Sequence, residues 1–153
     1  MTLTLRPARA EEAGALSDLA KRSKAVWGYD ATFMKACEDE LTIAPSEIDN
    51  NPTFVAVHED RVVGMYMLEP EGVEKAELSY FFVEADCLRM GIGTRLIAHA
   101  KAEAARKSWR TIAIQGDPHA EAFYRSVGAR RTGSRPSESI PGRWLPLFQL
   151  EID

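Results

Sequence analysis

The chain has 153 residues, of which 45% are hydrophobic and 27% are charged. This composition excludes the disordered, collagen-like and disulfide-stapled classes, and the length predicts one domain with its own core. The 19 basic and 23 acidic residues give a formal net charge of −4, which argues against a general nucleic-acid binder because such proteins neutralise phosphates.

The sequence carries no signal for export, membrane insertion or metal binding. Cys37 and Cys87 are too few for a disulfide framework or a zinc cage. The N-terminus lacks the apolar segment of a signal peptide, and no apolar run approaches the ~20 residues that span a bilayer. We therefore expect a cytoplasmic protein that binds neither a metal nor a membrane.

The first half of the chain alternates between β-rich and helical patterns. Residues 2–6 alternate as a strand does, whereas Leu16, Leu19 and Ala20 recur at helical spacing. The predicted elements are a strand at 2–6, helices at 11–26 and 32–41, a polar, turn-like segment at 45–52, and a hairpin of strands 53–58 and 62–68 around Glu59-Asp60-Arg61.

The second half continues in the same way. The predicted elements are a strand at 75–83, a helix at 91–107, a strand at 110–115, a short helix at 118–127, a polar loop at 133–142, and a last strand at 144–152 that Pro146 interrupts. Asp117 is suited to cap the short helix and Gly128 to end it. Because helices are interspersed with an antiparallel meander, this order predicts helices packed on a mixed sheet rather than a doubly wound fold.

The most informative stretch is 79–98, where a hydrophobic strand leads through a loop into a helix that opens at residues 91–94 (GIGT). Glycines let the backbone approach a ligand, and free amides at a helix N-terminus favour a phosphate, with Arg89 and Arg95 as further contacts. The alternative is that the glycines only shape a tight turn. A dinucleotide fingerprint would need glycine in place of Leu96, and the Gly-Lys-Ser/Thr of a P-loop is missing.

Two segments together resemble a known family. Residues 83–93 (VEADCLRMGIG) and 117–129 (DPHAEAFYRSVGA) are similar, in this order, to two motifs of the GNAT superfamily of acyl-CoA N-acyltransferases. The resemblance extends over nearly the whole chain. Leu88 stands at the usual Gln or Arg of the first motif, with Arg89 one residue later, and Asp117 stands at the Asn of the second.

The resemblance implies an α/β (α+β) fold over residues 1–153, in which about four helices flank a mixed, mostly antiparallel sheet of six to seven strands. It implies an N-acetyltransferase that moves an acetyl group from its co-substrate acetyl-CoA to a primary amine, by direct attack through a tetrahedral intermediate. The acceptor stays open between a small-molecule amine and a peptide or protein amine, and a homodimer stays open as well.

By the same resemblance, the acetyl-CoA site comprises the strand end, the glycine loop and the second motif. Its residues are Phe81, Phe82, Val83, Leu88, Arg89, Met90, Gly91, Ile92, Gly93, Thr94, Asp117, Phe123 and Tyr124. Tyr124 stands at the position of the tyrosine that acts as the acid in the family. A phenol of pKa ~10 can protonate a departing thiolate. The alternative is a ring that only packs beside Phe123.

Glu77 is the candidate base that takes the proton of the amine, directly or through water. Strand alternation predicts that Glu77, Ser79 and Phe81 share one face of the sheet. The alternative is a structural charge at the strand start, paired with Lys75.

On the acceptor side, the family uses its first two helices, their connecting loop and its last hairpin. Trp27 and Tyr29 lie in that first loop, and Arg143 in the late loop could pair with an acceptor carboxylate. The structural alternatives are that Trp27 caps the core and that Arg143 is a solvated surface residue.

Two other functions compete with the enzyme. A catalytically silent acyl-CoA-binding regulatory module of the same fold would account for Leu88 and Asp117, whereas Tyr124 and Glu77 favour catalysis. A nucleotide-binding α/β domain is disfavoured by the missing third glycine and the missing Gly-Lys pair.

Overall fold

The structure, a computed structural model, describes residues 2–153 and is built around one seven-stranded sheet. The strands are β1 (Thr4–Pro7), β2 (Thr53–His58), β3 (Arg61–Pro70), β4 (Lys75–Val83), β5 (Thr111–Gln115), β6 (Arg130–Pro136) and β7 (Trp144–Glu151). Their order across the sheet is β1-β2-β3-β4-β5-β7-β6, and every neighbouring pair is antiparallel except β4–β5, which is parallel.

Five α-helices connect the strands. They are α1 (Ala13–Ala25), α2 (Ala31–Ala36), α3 (Pro45–Asn50), α4 (Ile92–Arg106) and α5 (Glu121–Ser126). Four 3-10 turns lie at Ala10–Glu12, Asp39–Leu41, Ala85–Cys87 and Pro118–Ala120. Parallel strands require a crossover, and α4 provides the one between β4 and β5.

The core lies on both faces of the sheet. On one face, the apolar stripe of α4 packs Ile92 and Leu96 in one cluster with Ala76 and Leu78 of β4. On the other face, Leu16 and Leu19 of α1 form a second cluster with strand residues of β2 and β3. Because both faces are covered, the central strands are buried on both sides and the sheet holds a fixed register.

The parallel pair forms a short seam. β4 and β5 pair only between Lys75–Leu78 and Thr111–Ile114, although β4 continues to Val83. From Ser79 onward, β4 therefore has no strand partner on its β5 side within the described chain. The two strands diverge into a gap, which we call the β4–β5 gap.

A β-bulge in β4 reverses the faces of its second half. Met67 of β3 lies opposite Tyr80, whereas the next residue, Leu68, lies opposite Leu78, so Ser79 is the extra residue. Before the bulge, Ala76 and Leu78 face α4, and after it Phe81 and Val83 do. The prediction that Glu77 and Phe81 share a face is therefore wrong, because an extra residue shifts strand alternation by one position.

The predicted fold class is confirmed, and the predicted spans 53–58 and 75–83 coincide with β2 and β4. The hairpin turn is also confirmed: Glu59 and Asp60 have φ values of 51° and 61°, as a tight two-residue turn requires.

Three predictions of elements are wrong. The turn-like segment 45–52 contains α3, which Pro45 begins and whose N-terminus Glu47 stabilises by accepting from the Ala44 amide. The predicted loop 133–142 begins inside β6, all of whose residues are exposed and carry no apolar alternation. β7 runs through Pro146, whose carbonyl still accepts a hydrogen bond from the Gly116 amide at 3.0 Å.

No helix within residues 2–153 has both the length and the apolar character that crossing a bilayer would demand.

Candidate active site

Tyr124 lies between the two walls of the β4–β5 gap. Its ring contacts Phe81 on the unpaired end of β4, and a Cβ placed at Gly116, just after β5, would lie 2.9 Å from the same ring. Phe123 and Phe148 complete the aromatic surroundings, so Tyr124 is only 6% exposed.

The hydroxyl of Tyr124 is unbonded, although the ring is buried. It makes no hydrogen bond within the described residues, where no side-chain nitrogen or oxygen is both fully buried and without a partner. The oxygen therefore reaches accessible space. Burial, followed by the nearby Asp117 carboxylate, raises the pKa of Tyr124 above its ordinary value, so the phenol keeps its proton at neutral pH.

Glu77 lies in the seam, opposite Ala113 of β5 and Glu69 of β3. It forms no ion pair in the described part of the chain, and the predicted alternative partner, Lys75, pairs with Glu71 at 3.5 Å. Burial, together with the carboxylates of Glu71 and Glu69, raises the pKa of Glu77. The bulge places Glu77 on the α1 side of the sheet, across from Phe81 and the Tyr124 ring.

The glycine loop leads into the N-terminus of α4. Gly91 is the N-cap, with a left-handed φ of 79°, and no side chain caps the helix. The first-turn amides of Ile92, Gly93 and Thr94 have no acceptor among residues 2–153, as expected for the open end of a helix. They and the helix dipole favour an anion.

The two glycines of this loop serve different purposes. A Cβ at Gly91 would meet nothing within 4 Å, so Gly91 is required by its φ alone. A Cβ at Gly93 would lie 3.0 Å from the Phe123 ring, so Gly93 allows α5 to pack against the start of α4.

The remaining loop side chains differ in direction and polarity. Leu88 and Met90 are each 41% exposed, and Arg89 has a left-handed φ of 67°. Arg95, predicted as a further phosphate contact, donates instead to the Leu3 carbonyl at 3.3 Å. Of the candidate strand residues, Phe81 and Val83 pack on the α4 side, and Phe82 packs on the α1 and α2 side.

An ion pair that the sequence did not indicate joins α1 to this loop. The buried Glu84 accepts two hydrogen bonds from Arg22, at 2.9 and 2.8 Å, and Arg61 lies 3.8 Å away. The bonds from Arg22 hold the pKa of Glu84 below its ordinary value. The pair fixes the end of α1 beside the residues that lead into α4.

A second polar cluster surrounds Asp117, at the N-terminus of the turn before α5. The carboxylate accepts from the Tyr29 hydroxyl at 2.9 Å and from the His119 amide at 2.9 Å. Lys24 and Arg143 lie 3.4 and 3.2 Å from the same carboxylate. Burial opposes ionisation of Asp117, yet the bonds from His119 and Tyr29 outweigh it and hold its pKa below the ordinary value.

Tyr29 is the centre of this cluster. Arg143 donates to its hydroxyl at 2.6 Å, and its ring stacks on Phe33 with centroids 3.9 Å apart. Burial and the bond to Asp117 raise the pKa of Tyr29 to about 12, so it stays neutral. Trp27, 41% exposed, stacks on His119 rather than closing the core.

The structure thus brings Tyr29, Arg143 and Asp117 into one cluster. It also packs Phe123 between Gly93 and the Tyr124 ring. Lys24, Phe33 and His119 were missed by the sequence analysis. Lys24 lies on α1 and Phe33 on α2, outside any motif, so no spacing indicates them. His119 lies inside the second motif, which does not single it out. No group of residues within the described chain is arranged to hold a metal ion.

Comparison with known proteins identifies the same architecture. The sequence model of the acetyltransferase (GNAT) family matches residues 18–129. The PaiA N-acetyltransferase of Thermoplasma acidophilum, solved in complex with coenzyme A, superposes with a TM-score of 0.82 at 16% identity over 99% of both chains.

Two further solved structures are similar. A GCN5-related N-acetyltransferase from Rhodopseudomonas palustris has a TM-score of 0.80 at 18% identity, over 99% of this chain and 96% of that one. Apo-form YjaB from Escherichia coli has a TM-score of 0.69 at 26% identity, over 99% and 98%. A search of curated proteins finds no significant match to the sequence.

Proposed function

The chain belongs to the acetyltransferase (GNAT) family, and from this membership we propose that residues 1–153 form one domain that transfers an acetyl group from acetyl-CoA to a primary amine. The observation that carries the proposal is the Tyr124 phenol, whose ring is buried while its hydroxyl stays unbonded beside the β4–β5 gap. A purely structural tyrosine at this depth would hydrogen-bond its hydroxyl.

The residues present fit acetyl-CoA. The unpaired edge of β4 from Ser79 to Val83 offers backbone donors and acceptors, and the free amides of α4 offer a phosphate site. Phe81, Phe82, Val83, Leu88, Arg89, Met90, Gly91, Ile92, Gly93, Thr94, Asp117, Phe123 and Tyr124 would hold it. When bound, acetyl-CoA would supply the thioester carbonyl as electrophile.

Tyr124 is the proposed acid. Its raised pKa keeps a proton on Oη at neutral pH, and a phenol of this kind can donate that proton to a thiolate. Because the hydroxyl has no hydrogen-bond partner among residues 2–153, its proton is free to be donated to a group in the gap.

Glu77 is the proposed base. An amine such as that of lysine, with a pKa of ~10.4, is almost fully protonated at neutral pH, so a base must accept its proton. The raised pKa of Glu77 makes its carboxylate a stronger base, and this carboxylate forms no ion pair among residues 2–153. Because Glu77 and Phe81 face opposite sides of the sheet, Glu77 would accept the proton of an amine beside Tyr124 through water rather than directly.

Trp27, Tyr29 and Arg143 are the proposed acceptor-side residues.

The alternative function, a silent acyl-CoA-binding module, is supported by the apolar, exposed Leu88 in the glycine loop and by an Asp117 already engaged with protein groups. Turnover distinguishes the two functions, whereas binding alone does not.

The test is calorimetric titration with acetyl-CoA, with NAD as the control ligand, followed by an amine screen that detects free thiol. We expect acetyl-CoA to bind, NAD not to bind, and at least one amine to release thiol. Binding without release for any amine would favour the silent module, and absence of binding would overturn both functions.

A further inference from the structure

The last turn of α1 contacts both sides of the β4–β5 gap. Arg22 donates two hydrogen bonds to Glu84, at 2.9 and 2.8 Å, and Glu84 directly follows β4. Lys24 lies 3.4 Å from Asp117, which lies two residues beyond the end of β5. One helix end is therefore bonded to the chain just beyond each of the two strands that border the gap.

Helix geometry explains how two residues of one turn reach opposite sides. Each residue of an α-helix is rotated by about 100° from the one before it, so Arg22 and Lys24 project in nearly opposite directions. Phe82, on the unpaired end of β4, packs against the cluster that contains Ala20 of the same helix. α1 thus lies against β4 immediately before the turn from which Arg22 and Lys24 extend.

Tyr29 adds a second bond on the β5 side. It follows the end of α1 by four residues, and its hydroxyl donates to Asp117 at 2.9 Å. The stack of its ring on Phe33, with centroids 3.9 Å apart, fixes the direction of this bond. We call Arg22, Lys24 and Tyr29 the α1 brace.

Both carboxylates that the α1 brace contacts are shielded from water. Glu84 is 3% exposed, and the side chain of Asp117 is 13% exposed. A buried carboxylate that loses its partner is left with an uncompensated charge, which is strongly unfavourable. The protein therefore has a large energetic reason to keep these contacts.

Backbone pairing does not fix the gap at this place, because the pairing of β4 with β5 ends five residues before the end of β4. Glu84 leads into the loop that opens α4, and Asp117 leads into α5, which carries Tyr124. The contact between Gly93 and Phe123 joins these two parts on the α4 side of the sheet. The α1 brace joins them on the other side.

We propose that the α1 brace holds the two sides of the β4–β5 gap at the separation that acetyl-CoA requires, with Arg22 and Tyr29 as positioning residues. Arg22 acts through Glu84, and Tyr29 acts through Asp117. This inference rests on the proposed acetyl-CoA site and adds residues that act on it indirectly. Loss of either contact should release the helix end and thereby loosen both sides of the gap.

The first test is amide hydrogen exchange of the protein without ligand. Arg22→Gln removes bonds on the β4 side only, and Tyr29→Phe removes a bond on the β5 side only while keeping the stacked ring. We expect exchange to rise roughly 2- to 30-fold on the opposite side as well, at residues 116–124 in Arg22→Gln and at residues 79–91 in Tyr29→Phe. Changes confined to the side that each residue contacts overturn the inference.

Arg106→Gln is the matched control. It breaks another two-bond pair between an arginine and a buried glutamate, Glu103, at the far end of α4. That pair lies about 20 Å along the helix from the proposed phosphate site. Arg106→Gln should lower stability and leave exchange at residues 79–91 and 116–124 unchanged, and an equal rise there would mean general destabilisation and overturn the inference.

The second test is calorimetric titration with acetyl-CoA. Each single variant should lower the affinity roughly 2- to 30-fold, and the double variant should lose little more than the weaker-binding single one, because one broken contact already releases the helix end. Losses that multiply would mean two independent effects and overturn the inference. Arg22→Lys keeps the charge without the paired hydrogen bonds, so full recovery in this variant would show an effect of charge alone and also overturn it.

The two tests separate this inference from the proposed function. If the wild-type protein does not bind acetyl-CoA, the proposed function fails, and the positioning role fails with it. Hydrogen exchange is measured without ligand, so it decides independently whether α1 couples the two sides of the gap.

Discussion

At the scale of single residues, Tyr124 carries the clearest prediction. Tyr124→Phe removes the unbonded hydroxyl and keeps the ring that packs against Phe81 and Phe148. Acetyl-CoA affinity should therefore stay unchanged while turnover falls roughly 10²–10⁴-fold, as expected when a proton donor is lost. Steady-state kinetics and calorimetry measure the two effects.

Tyr66→Phe is the matched control. Tyr66 is fully buried on the α4 side, and its hydroxyl lies 2.7 Å from His99, so this change should lower stability and spare turnover. If Tyr124→Phe turns over as fast as the wild type, Tyr124 is not the acid.

Glu77 should give opposite effects on activity and stability. Its raised pKa means that kcat/KM falls as pH drops through that pKa, because the base must be ionised. Because the pKa of Glu77 is raised in the folded state, ionisation of Glu77 destabilises the fold. The protein is therefore free of this penalty below the unfolded-state pKa, and the penalty grows as pH rises through the folded-state pKa.

Glu77→Gln should therefore lower turnover roughly 10²-fold, abolish the acidic limb of the pH profile, and raise the melting temperature at neutral pH. The stability gain should vanish in acid. Glu11→Gln is the control, because Glu11 is exposed and forms no ion pair in the part of the chain that the structure describes. If Glu77→Gln lowers the melting temperature at neutral pH, or keeps the acidic limb of the pH profile, Glu77 is not the base.

Residue identities could be predicted where a motif contains them. Tyr124, Gly91 and Asp117 were predicted in this way, and they lie in or beside the α4 and α5 segments that Gly93 and Phe123 bring into contact. The partners of Asp117 could not be predicted, because Lys24 and Arg143 come from distant parts of the chain and neither belongs to a motif. Their proximity to Asp117 arises only when the end of α1 and the loop before β7 meet the turn before α5.

At the scale of elements, the N-terminus of α4 depends on its two glycines for different reasons. Gly91→Ala should cost stability by about 1–2 kcal/mol, because φ is left-handed, while acetyl-CoA affinity changes little. Gly91→Asp should cost the same stability and also weaken acetyl-CoA binding by at least roughly tenfold, because a negative charge then faces the proposed phosphate site.

Gly93→Ala provides the contrast. Its Cβ would push against the Phe123 ring, so we expect lost stability together with altered turnover, since Phe123 neighbours Tyr124. Denaturant unfolding and calorimetry separate these outcomes. Equal acetyl-CoA affinity in Gly91→Asp would mean that the loop does not bind phosphate.

Elements with a strong apolar period were predictable, and those without one were not. β2 and β4 were located to the residue because all of their side chains are buried or half-buried. β6 has no buried side chain and is held by backbone pairing with β7, so no side-chain pattern indicates it. The bulge at Ser79 depends on the register with β3, which no single strand's sequence specifies.

At the scale of the whole molecule, acetyl-CoA should stabilise the fold because it would bridge the two sides of the β4–β5 gap. At a concentration of 100 times its Kd, a ligand specific for the folded state adds about 2.7 kcal/mol. For a chain of this size, the melting temperature should rise by about 5–10 °C. Thermal unfolding measures the shift, and an equal rise with NAD would contradict specific binding.

The short β4–β5 seam also has a consequence for how the chain folds. β2, β3 and β4 follow one another as hairpins, and their contacts are local in sequence. The seam, in contrast, joins strands separated by the whole of α4. Only four residue pairs offset the conformational entropy that is lost when this long loop closes. We expect the seam to form late during folding and to open early during unfolding. The β4–β5 gap would then continue into the least stable strand pairing of the sheet.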